Sequence, residues 1–170
     1  MSRFRPPVRS VHGGYEIDLG PDEVALIRRL VGELRVMLTD GDDADQHHHL
    51  LSRLFPVAHA DDDEMEAEYQ RLMRDELVQS KLAAFDTLDA ALDTADPVDE
   101  MRMVAVMQSI NSIRLVLGTL LGLDDDRDDD PDDDPDDKEV APALEDSPEY
   151  QLYGYLSWLL EWCVRALSAA

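Results

Sequence analysis

The densest group of chemically active residues is an acidic run, "DDDRDDDPDDDPDDKE", at residues 124–139. Within it, residues 128–139 place carboxylates at positions 1, 3, 5, 9 and 12, as a calcium-binding EF-hand loop does. The sixth position of such a loop needs glycine for its sharp turn, and here it is Asp133. Two prolines also interrupt the pattern, and a dense block of like charges repels itself and stays solvated. The run is therefore interpreted as a spacer, with cation binding as the alternative.

A second stretch with metal-binding chemistry is "DDADQHHHLL", in which histidines at 47–49 follow three aspartates. Consecutive residues of a helix point about 100° apart, so neighbouring histidines cannot share one ion. Asp45 and His49, four residues apart, could share one, but zinc usually takes three or four protein ligands. The other histidines are His12 and His59. We predict a polar helix face with no metal and no cofactor, and keep a metal site as the alternative.

The single cysteine, Cys163, lies on the apolar arc of the last predicted helix. One cysteine cannot close an intramolecular disulfide, which fits a reducing compartment and a cytoplasmic protein. A free cysteine is commonly buried and inert, because reactivity requires exposure and a lowered pKa. Arg165 is close in sequence but about 200° away around the helix. Cys163 is interpreted as a core residue, with a redox-active thiol as the alternative.

Five further residues are candidates for binding a partner protein. Asn111 and Arg114 are polar exceptions, one turn apart, in a predicted helix that is apolar on almost every face. Either they pair with a nearby carboxylate or helix end, or they form a functional surface. Tyr155, Trp158 and Trp162 form a stripe beside the apolar arc of the last helix. They belong either to the core or to a surface for a partner or a second copy of the chain.

Among the elements that must position these residues, a β-hairpin is predicted at residues 4–19. Apolar and polar side chains alternate from Tyr15 to Leu19, which is the period of a half-buried strand. Gly13 and Gly14 supply the positive φ that a tight hairpin turn needs.

Helical periodicity accounts for most of the remaining chain. The third predicted helix contains a slip in phase near Ser80, where we expect a bend or a break. The fourth is expected to have Asp96 as its N-cap and Pro97 as its first residue. Because it is apolar nearly all round, it should be the central helix. The predicted helices cover residues 21–38, 45–55, 61–92, 97–121 and 147–170.

These elements predict a single, mainly α-helical domain over residues 1–170, a bundle of about five helices with a small N-terminal β-hairpin. Its parts are the hairpin at 1–19, a helical core at 20–123, an acidic disordered linker at 124–146 and a C-terminal helix at 147–170.

Composition excludes several classes of function. The formal net charge is −24, of which the acidic run supplies −10, so the rest of the chain is acidic as well. Phosphate neutralisation by Lys and Arg dominates DNA affinity, so no direct nucleic-acid binding is expected and a basic protein partner is favoured. The sequence has no long uncharged apolar stretch, so we predict no membrane span. It also has no apolar signal-peptide core at its N-terminus. Nucleophile-elbow, P-loop, dinucleotide and HExxH motifs are absent, so we predict no catalytic residues and no enzyme.

Four blocks of the sequence resemble one family. They are "GYEIDLGPDEVALIRRLVGELRVML" at 14–38, "EYQRLMRDELVQSKLAAFDTL" at 68–88, "MQSINSIRLVLGTLLGL" at 107–123 and "YGYLSWLLEWCVRAL" at 153–167. The family consists of small actinobacterial proteins that carried a domain-of-unknown-function label. It is now named for the oxidative-stress transcriptional regulator AosR, and its genes tend to lie beside that of the ClpS protease adaptor.

The resemblance implies a cytoplasmic, non-enzymatic regulator that works with an RNA polymerase sigma factor and uses cysteine redox as its switch. Because only Cys163 is present, a switch here would need an intermolecular bond or a sulfenic acid. We therefore expect a transcription-associated regulatory protein that acts through contacts with a sigma factor or RNA polymerase. The alternative is an accessory or adaptor protein of Clp-type proteolysis, which only the gene neighbourhood suggests.

Overall fold

The computed structural model describes residues 5–40, 44–55, 57–123 and 146–169. In that part of the chain a two-stranded hairpin precedes five α-helices, so the predicted mainly α-helical class with an N-terminal hairpin is confirmed. The acidic run and its cation-binding alternative lie outside the described residues. The elements are β1 (Val8–Val11), β2 (Gly14–Ile17), α1 (Pro21–Thr39), α2 (Ala44–Leu51) with a 3-10 turn (Ser52–Leu54), α3 (Asp63–Asp93), α4 (Glu100–Leu120) and α5 (Pro148–Ser168).

The hairpin turns at the predicted glycines and is fastened to the helices by its second strand. Gly13 and Gly14 have φ of 94° and 147°, and Val8 pairs with Ile17 in the antiparallel register. Tyr15 exchanges both backbone hydrogen bonds with Val98, each 2.9 Å long. This bridge ties the hairpin to the connection between α3 and α4.

The same bridge corrects the predicted start of the fourth helix. Asp96 was expected as the N-cap, but the N-cap is Asp99, whose Oδ1 accepts a hydrogen bond from the backbone N–H of Arg102 at 2.9 Å. Val98 cannot enter the helix because its N–H and C=O are both paired with Tyr15 in extended geometry. The last helix begins as predicted, since the Ser147 hydroxyl accepts from the N–H of Tyr150 at 3.2 Å.

The third predicted helix is one uninterrupted α-helix of 31 residues, so the bend or break expected near Ser80 is absent from it. The slip in phase instead separates two halves of α3 with different environments. The second half buries Phe85, Leu88 and Ala91 in the core, whereas Met65 and Leu72 in the first half are exposed. A change of environment alters the apolar period without interrupting the backbone.

The predicted central position of α4 is confirmed by its neighbours, because it contacts α1, α2, α3, α5 and β2. Its buried apolar residues are Met103, Val106, Ile110 and Ile113. Of the described helices, α4 is also the one long and apolar enough to cross a membrane by length and composition, with a mean hydropathy of 1.4. In its most apolar 18-residue stretch, 44 % of the residues are buried inside the fold. Its length and hydropathy are therefore weak evidence for a membrane span.

Candidate protein-binding surface

The last helix is anchored along one face and leaves a second face open. Leu156, Leu159, Cys163 and Ala166 of α5 are buried in the core, where the helix packs on α4 and β1. These positions recur every three or four residues and form one side of the helix. The aromatic residues predicted beside them therefore lie along the edge of the buried face.

We call Tyr155, Trp158 and Trp162 the aromatic edge. The rings of Tyr155 and Trp158 lie 6.0 Å apart between centroids and are inclined by 34°. Trp158 is 37 % exposed, whereas Trp162 is half-buried, packs against the core and lies 5.0 Å from the guanidinium of Arg165. The stripe thus divides between the two alternatives, with Trp162 contributing to the core and Trp158 presenting its indole to solvent.

Glu23, in the first turn of α1, holds the aromatic edge in place. Its Oε1 accepts a hydrogen bond from the Tyr155 hydroxyl at 2.8 Å, and its Oε2 accepts one from the backbone N–H of Gly20 at 2.7 Å. Burial, together with the carboxylate of Glu23, raises the pKa of Tyr155 well above its ordinary value. The phenol therefore stays a neutral donor, and it fixes α5 to α1 across 132 residues of sequence.

A shallow depression of about 400 Å³ adjoins the aromatic edge between the start of α1 and the start of α5. Its wall is mainly apolar, and two carboxylates of α1 stand at its rim. Such a surface accepts apolar side chains at its floor and attracts positive charge at its border. The lining residues are Asp22, Glu23, Leu26, Pro148, Gln151, Leu152 and Tyr155.

Asn111 and Arg114 form a separate group on α4. Arg114 donates from Nη1 to the Tyr153 hydroxyl at 2.9 Å, and from Nη2 and Nε to Oδ1 of Asn111 at 3.2 and 3.4 Å. Its guanidinium carbon lies 5.5 Å from the Tyr153 ring centroid. No described carboxylate forms an ion pair with it, so its partners are two neutral side-chain oxygens and neither the carboxylate nor the helix end that we considered. We call Asn111, Arg114 and Tyr153 the Arg114 cluster.

The structure therefore does not bring the five candidates to one surface. Tyr153 and Tyr155 are two residues apart on α5 and point about 200° from each other around the helix axis. Tyr155 reaches Glu23 of α1, whereas Tyr153 reaches Arg114 of α4. Sequence reasoning missed Tyr153. A signal for it was Gly118 in α4, where an added Cβ would lie 3.1 Å from the Tyr153 ring, as expected where an aromatic ring packs closely on a backbone.

Cys163 has the environment of a core residue. Its side chain is 0 % exposed, and burial raises the pKa of its thiol to about 12. Thiolate character and access are the two requirements for oxidation, and the folded protein provides neither. A redox role for this thiol would require the protein to open first.

We expect native protein at pH 8 to resist iodoacetamide at Cys163 during a time in which urea-denatured protein is fully alkylated. Because the pKa of this thiol is raised by folding from an ordinary 9.0 to about 12, the neutral thiol stabilises the fold below pH 9. The contribution of this thiol to the free energy of unfolding should be lost as the pH rises from 9 toward 12. Mass spectrometry of the alkylated peptide measures the labelling. Equal labelling of native and denatured protein would show that the thiol is accessible.

The described residues contain no group of three His, Cys, Asp or Glu side chains that could hold a metal ion. In the histidine stretch, His49 is exposed and His47 is half-buried. The side chains of Asp45 and His48 lie outside the described set, so the Asp45–His49 pairing stays a prediction that the structure does not test.

The fold and the aromatic edge define a small, acidic, mainly α-helical protein with a partly exposed tryptophan on its last helix. The chain belongs to the family described as Domain of unknown function (DUF2017), whose model matches residues 1–167. No curated protein and no solved structure matches the chain.

Proposed function

We propose that this chain is a non-enzymatic regulatory protein that acts by binding a partner protein through its aromatic edge. One observation carries the proposal: Trp158 is 37 % exposed at the edge of a helix whose adjoining face is anchored in the core. Tryptophan and tyrosine are the residues most enriched at the energetic centres of protein interfaces. An exposed indole beside an apolar depression is a favourable anchor for such a contact.

The aromatic edge is also ordered before any partner arrives. Tyr155 is fixed by its hydrogen bond to Glu23, and Trp158 packs beside the Tyr155 ring. A surface that is already ordered loses little conformational entropy on binding, which favours affinity.

The partner that best fits this surface carries apolar and basic side chains. Asp22 and Glu23 stand at the rim of the depression, and the whole chain has a formal net charge of −24. These charges attract a basic segment and repel the phosphates of DNA, so contact with a promoter would pass through the partner.

Within this proposal the partner is a sigma factor or RNA polymerase, and the setting is the cytoplasmic response to oxidative stress. These details follow from the resemblance to the family named for AosR. Since Cys163 is buried, we propose that the oxidant signal reaches this chain through its partner or its abundance, and not through direct oxidation of its folded form.

Affinity capture from cells before and after oxidant treatment, quantified by mass spectrometry, tests this function. The baits are the wild-type chain, Trp158→Ala and the control Val164→Ala. Val164 is 48 % exposed on the same helix, about 120° around its axis from Trp158. We expect sigma factor or polymerase subunits with wild type and Val164→Ala, and their loss with Trp158→Ala. Clp subunits with the same dependence on Trp158 would support a proteolytic adaptor instead.

A second copy of the chain is a further occupant for the aromatic edge. Sedimentation of the purified protein over a range of concentrations distinguishes this case. A homodimer that dissociates on Trp158→Ala but not on Val164→Ala would assign the surface to self-association, whereas a monomer leaves it free for another protein.

A further inference from the structure

We infer that the Arg114 cluster is a binding site for a single carboxylate group presented by another protein. The inference does not depend on the aromatic edge, because the cluster lies on the opposite flank of α5. It starts from the partners of Arg114. All three of its described hydrogen bonds go to neutral oxygens of Asn111 and Tyr153.

Most other arginines of the described chain have carboxylate partners, whereas Arg74 lies over the ring of Phe55. Arg28 pairs with Asp93, Arg35 with Asp89, and Arg102 on the same helix as Arg114 with Asp99. The sequence contains 39 acidic residues and only 15 lysines and arginines, so carboxylates are abundant. The half-buried guanidinium of Arg114 therefore departs from most described arginines, because its hydrogen bonds go to neutral partners alone.

The polarity of the cluster defines the ligand. Arg114 uses the Tyr153 oxygen and Asn111 Oδ1 as acceptors. The groups that remain are then donors: the Tyr153 O–H, the Asn111 Nδ2–H₂, and the second N–H on each Nη of Arg114. Donors gathered around one positive charge match an oxyanion and offer nothing to a cation or to another donor.

The guanidinium is held in position without its ligand. Asn111, one turn earlier on α4, fixes it from one side, and the Tyr153 ring and hydroxyl fix it from α5. The Tyr153 ring in turn packs on the backbone at Gly118. A planar guanidinium fixed in this way binds a planar carboxylate through two parallel hydrogen bonds with little further loss of entropy.

Charge and shape select a carboxylate on a protein over other anions. The net charge of −24 repels a phosphate dianion about twice as strongly as a monoanionic carboxylate at the same place. It also disfavours nucleic acid. Arg114 lines none of four depressions of about 150–450 Å³ on the described surface. Because free small molecules are usually bound in enclosed pockets, the carboxylate is expected on a side chain of another protein.

Nuclear magnetic resonance of the full chain tests the inference. The signals are the Asn111 Nδ2–H₂ and Arg114 Nε–H groups, with Arg102 Nε–H on the same helix as the control. The probes are sodium acetate and an N-acetyl-glutamate amide, each compared with sodium chloride at equal ionic strength and pH. We expect a saturable shift at Asn111 and Arg114 with both carboxylates and a small linear drift at Arg102.

Two variants separate binding from folding. Arg114→Lys keeps the positive charge but loses the paired N–H donors of the guanidinium. It should raise the dissociation constant for acetate, measured from the Asn111 Nδ2–H₂ signal, about tenfold. Tyr153→Phe keeps the ring on Gly118 and removes only the hydroxyl, and should weaken binding about threefold. Thermal unfolding of both variants verifies that they are folded.

Linear and equal shifts at Arg114 and Arg102 would overturn the inference. Inorganic phosphate that binds more than tenfold tighter than acetate would overturn the assignment to a carboxylate. Acetate that binds at least tenfold tighter than the glutamate amide would contradict a protein side chain as the source.

Discussion

Replacing Gly14 by alanine is expected to lower the free energy of unfolding by about 3 kcal/mol, near the upper end for overpacking. A Cβ at this position would lie 2.3 Å from the backbone carbonyl oxygen of Val98. That oxygen accepts the hydrogen bond from the Tyr15 N–H and cannot move aside without breaking the bridge between the hairpin and the start of α4. The φ of 147° adds strain for any residue with a side chain.

Gly13→Ala is the matched control for Gly14→Ala. Gly13 also has a positive φ, 94°, but an added Cβ meets nothing within 4 Å. Gly13→Ala should therefore lower the free energy of unfolding only by the cost of holding alanine at a positive φ, about 1–2 kcal/mol. Urea unfolding followed by circular dichroism measures both values. Equal losses for the two variants would mean that the close approach of Gly14 to Val98 does not exist in solution.

Phe85→Ala is expected to lower the free energy of unfolding by about 3–5 kcal/mol, the usual range for truncating a fully buried phenylalanine. Phe85 is 0 % exposed in the second half of α3 and is among the largest fully buried side chains of the described core. The guanidinium carbon of Arg35, from α1, also lies 6.0 Å from its ring centroid. The substitution therefore leaves a cavity where α1 and α3 meet.

Leu72→Ala, in the first half of the same helix, provides the comparison for Phe85→Ala. Leu72 is 65 % exposed, so its loss should change the free energy of unfolding by no more than about 0.5 kcal/mol. The ratio of the two effects, from the same urea titrations, tests the division of α3 into an exposed and a buried half. A loss at Leu72 as large as that at Phe85 would place both halves in the core.

Much of this architecture was predictable because its signals are local. The glycine pair at 13–14 fixes the hairpin turn, Ser147 and Pro148 fix the start of the last helix, and apolar periodicity marks the central helix. The start of α4 at Asp99 was not predictable in the same way. It depends on hydrogen bonds to Tyr15, which lies more than 80 residues earlier in the chain.

The candidate surface was predictable in part. The spacing of Tyr155, Trp158 and Trp162 shows that they share one stripe, but periodicity cannot say which of them is covered. The greater exposure of Trp158 and the half-buried position of Trp162 follow from how α5 lies on its neighbours. The link from Tyr155 to Glu23 and the role of Tyr153 beside Arg114 are long-range contacts that no local pattern contains.

The burial of Cys163 bears on the proposed role of this chain in the response to oxidants. The thiol lies on the face of α5 that packs into the core, and the aromatic edge lies beside it on the same helix. Oxidation would therefore require α5 to detach, which would also remove the proposed binding surface. Under the proposed function, a reversible response to oxidants would therefore have to come through the proposed partner.

The dissociation constant for the partner protein identified by affinity capture, proposed to be a sigma factor or polymerase subunit, tests the central claim most directly. It should be measured by calorimetry for the wild type, Trp158→Ala and Val164→Ala, with circular dichroism to verify that each is folded. We predict that Trp158→Ala weakens binding at least about 30-fold, the effect of losing an interface hot spot. Val164→Ala should bind within about twofold of wild type. Equal affinity of wild type and folded Trp158→Ala would contradict the account, because the aromatic edge would then not be the binding surface.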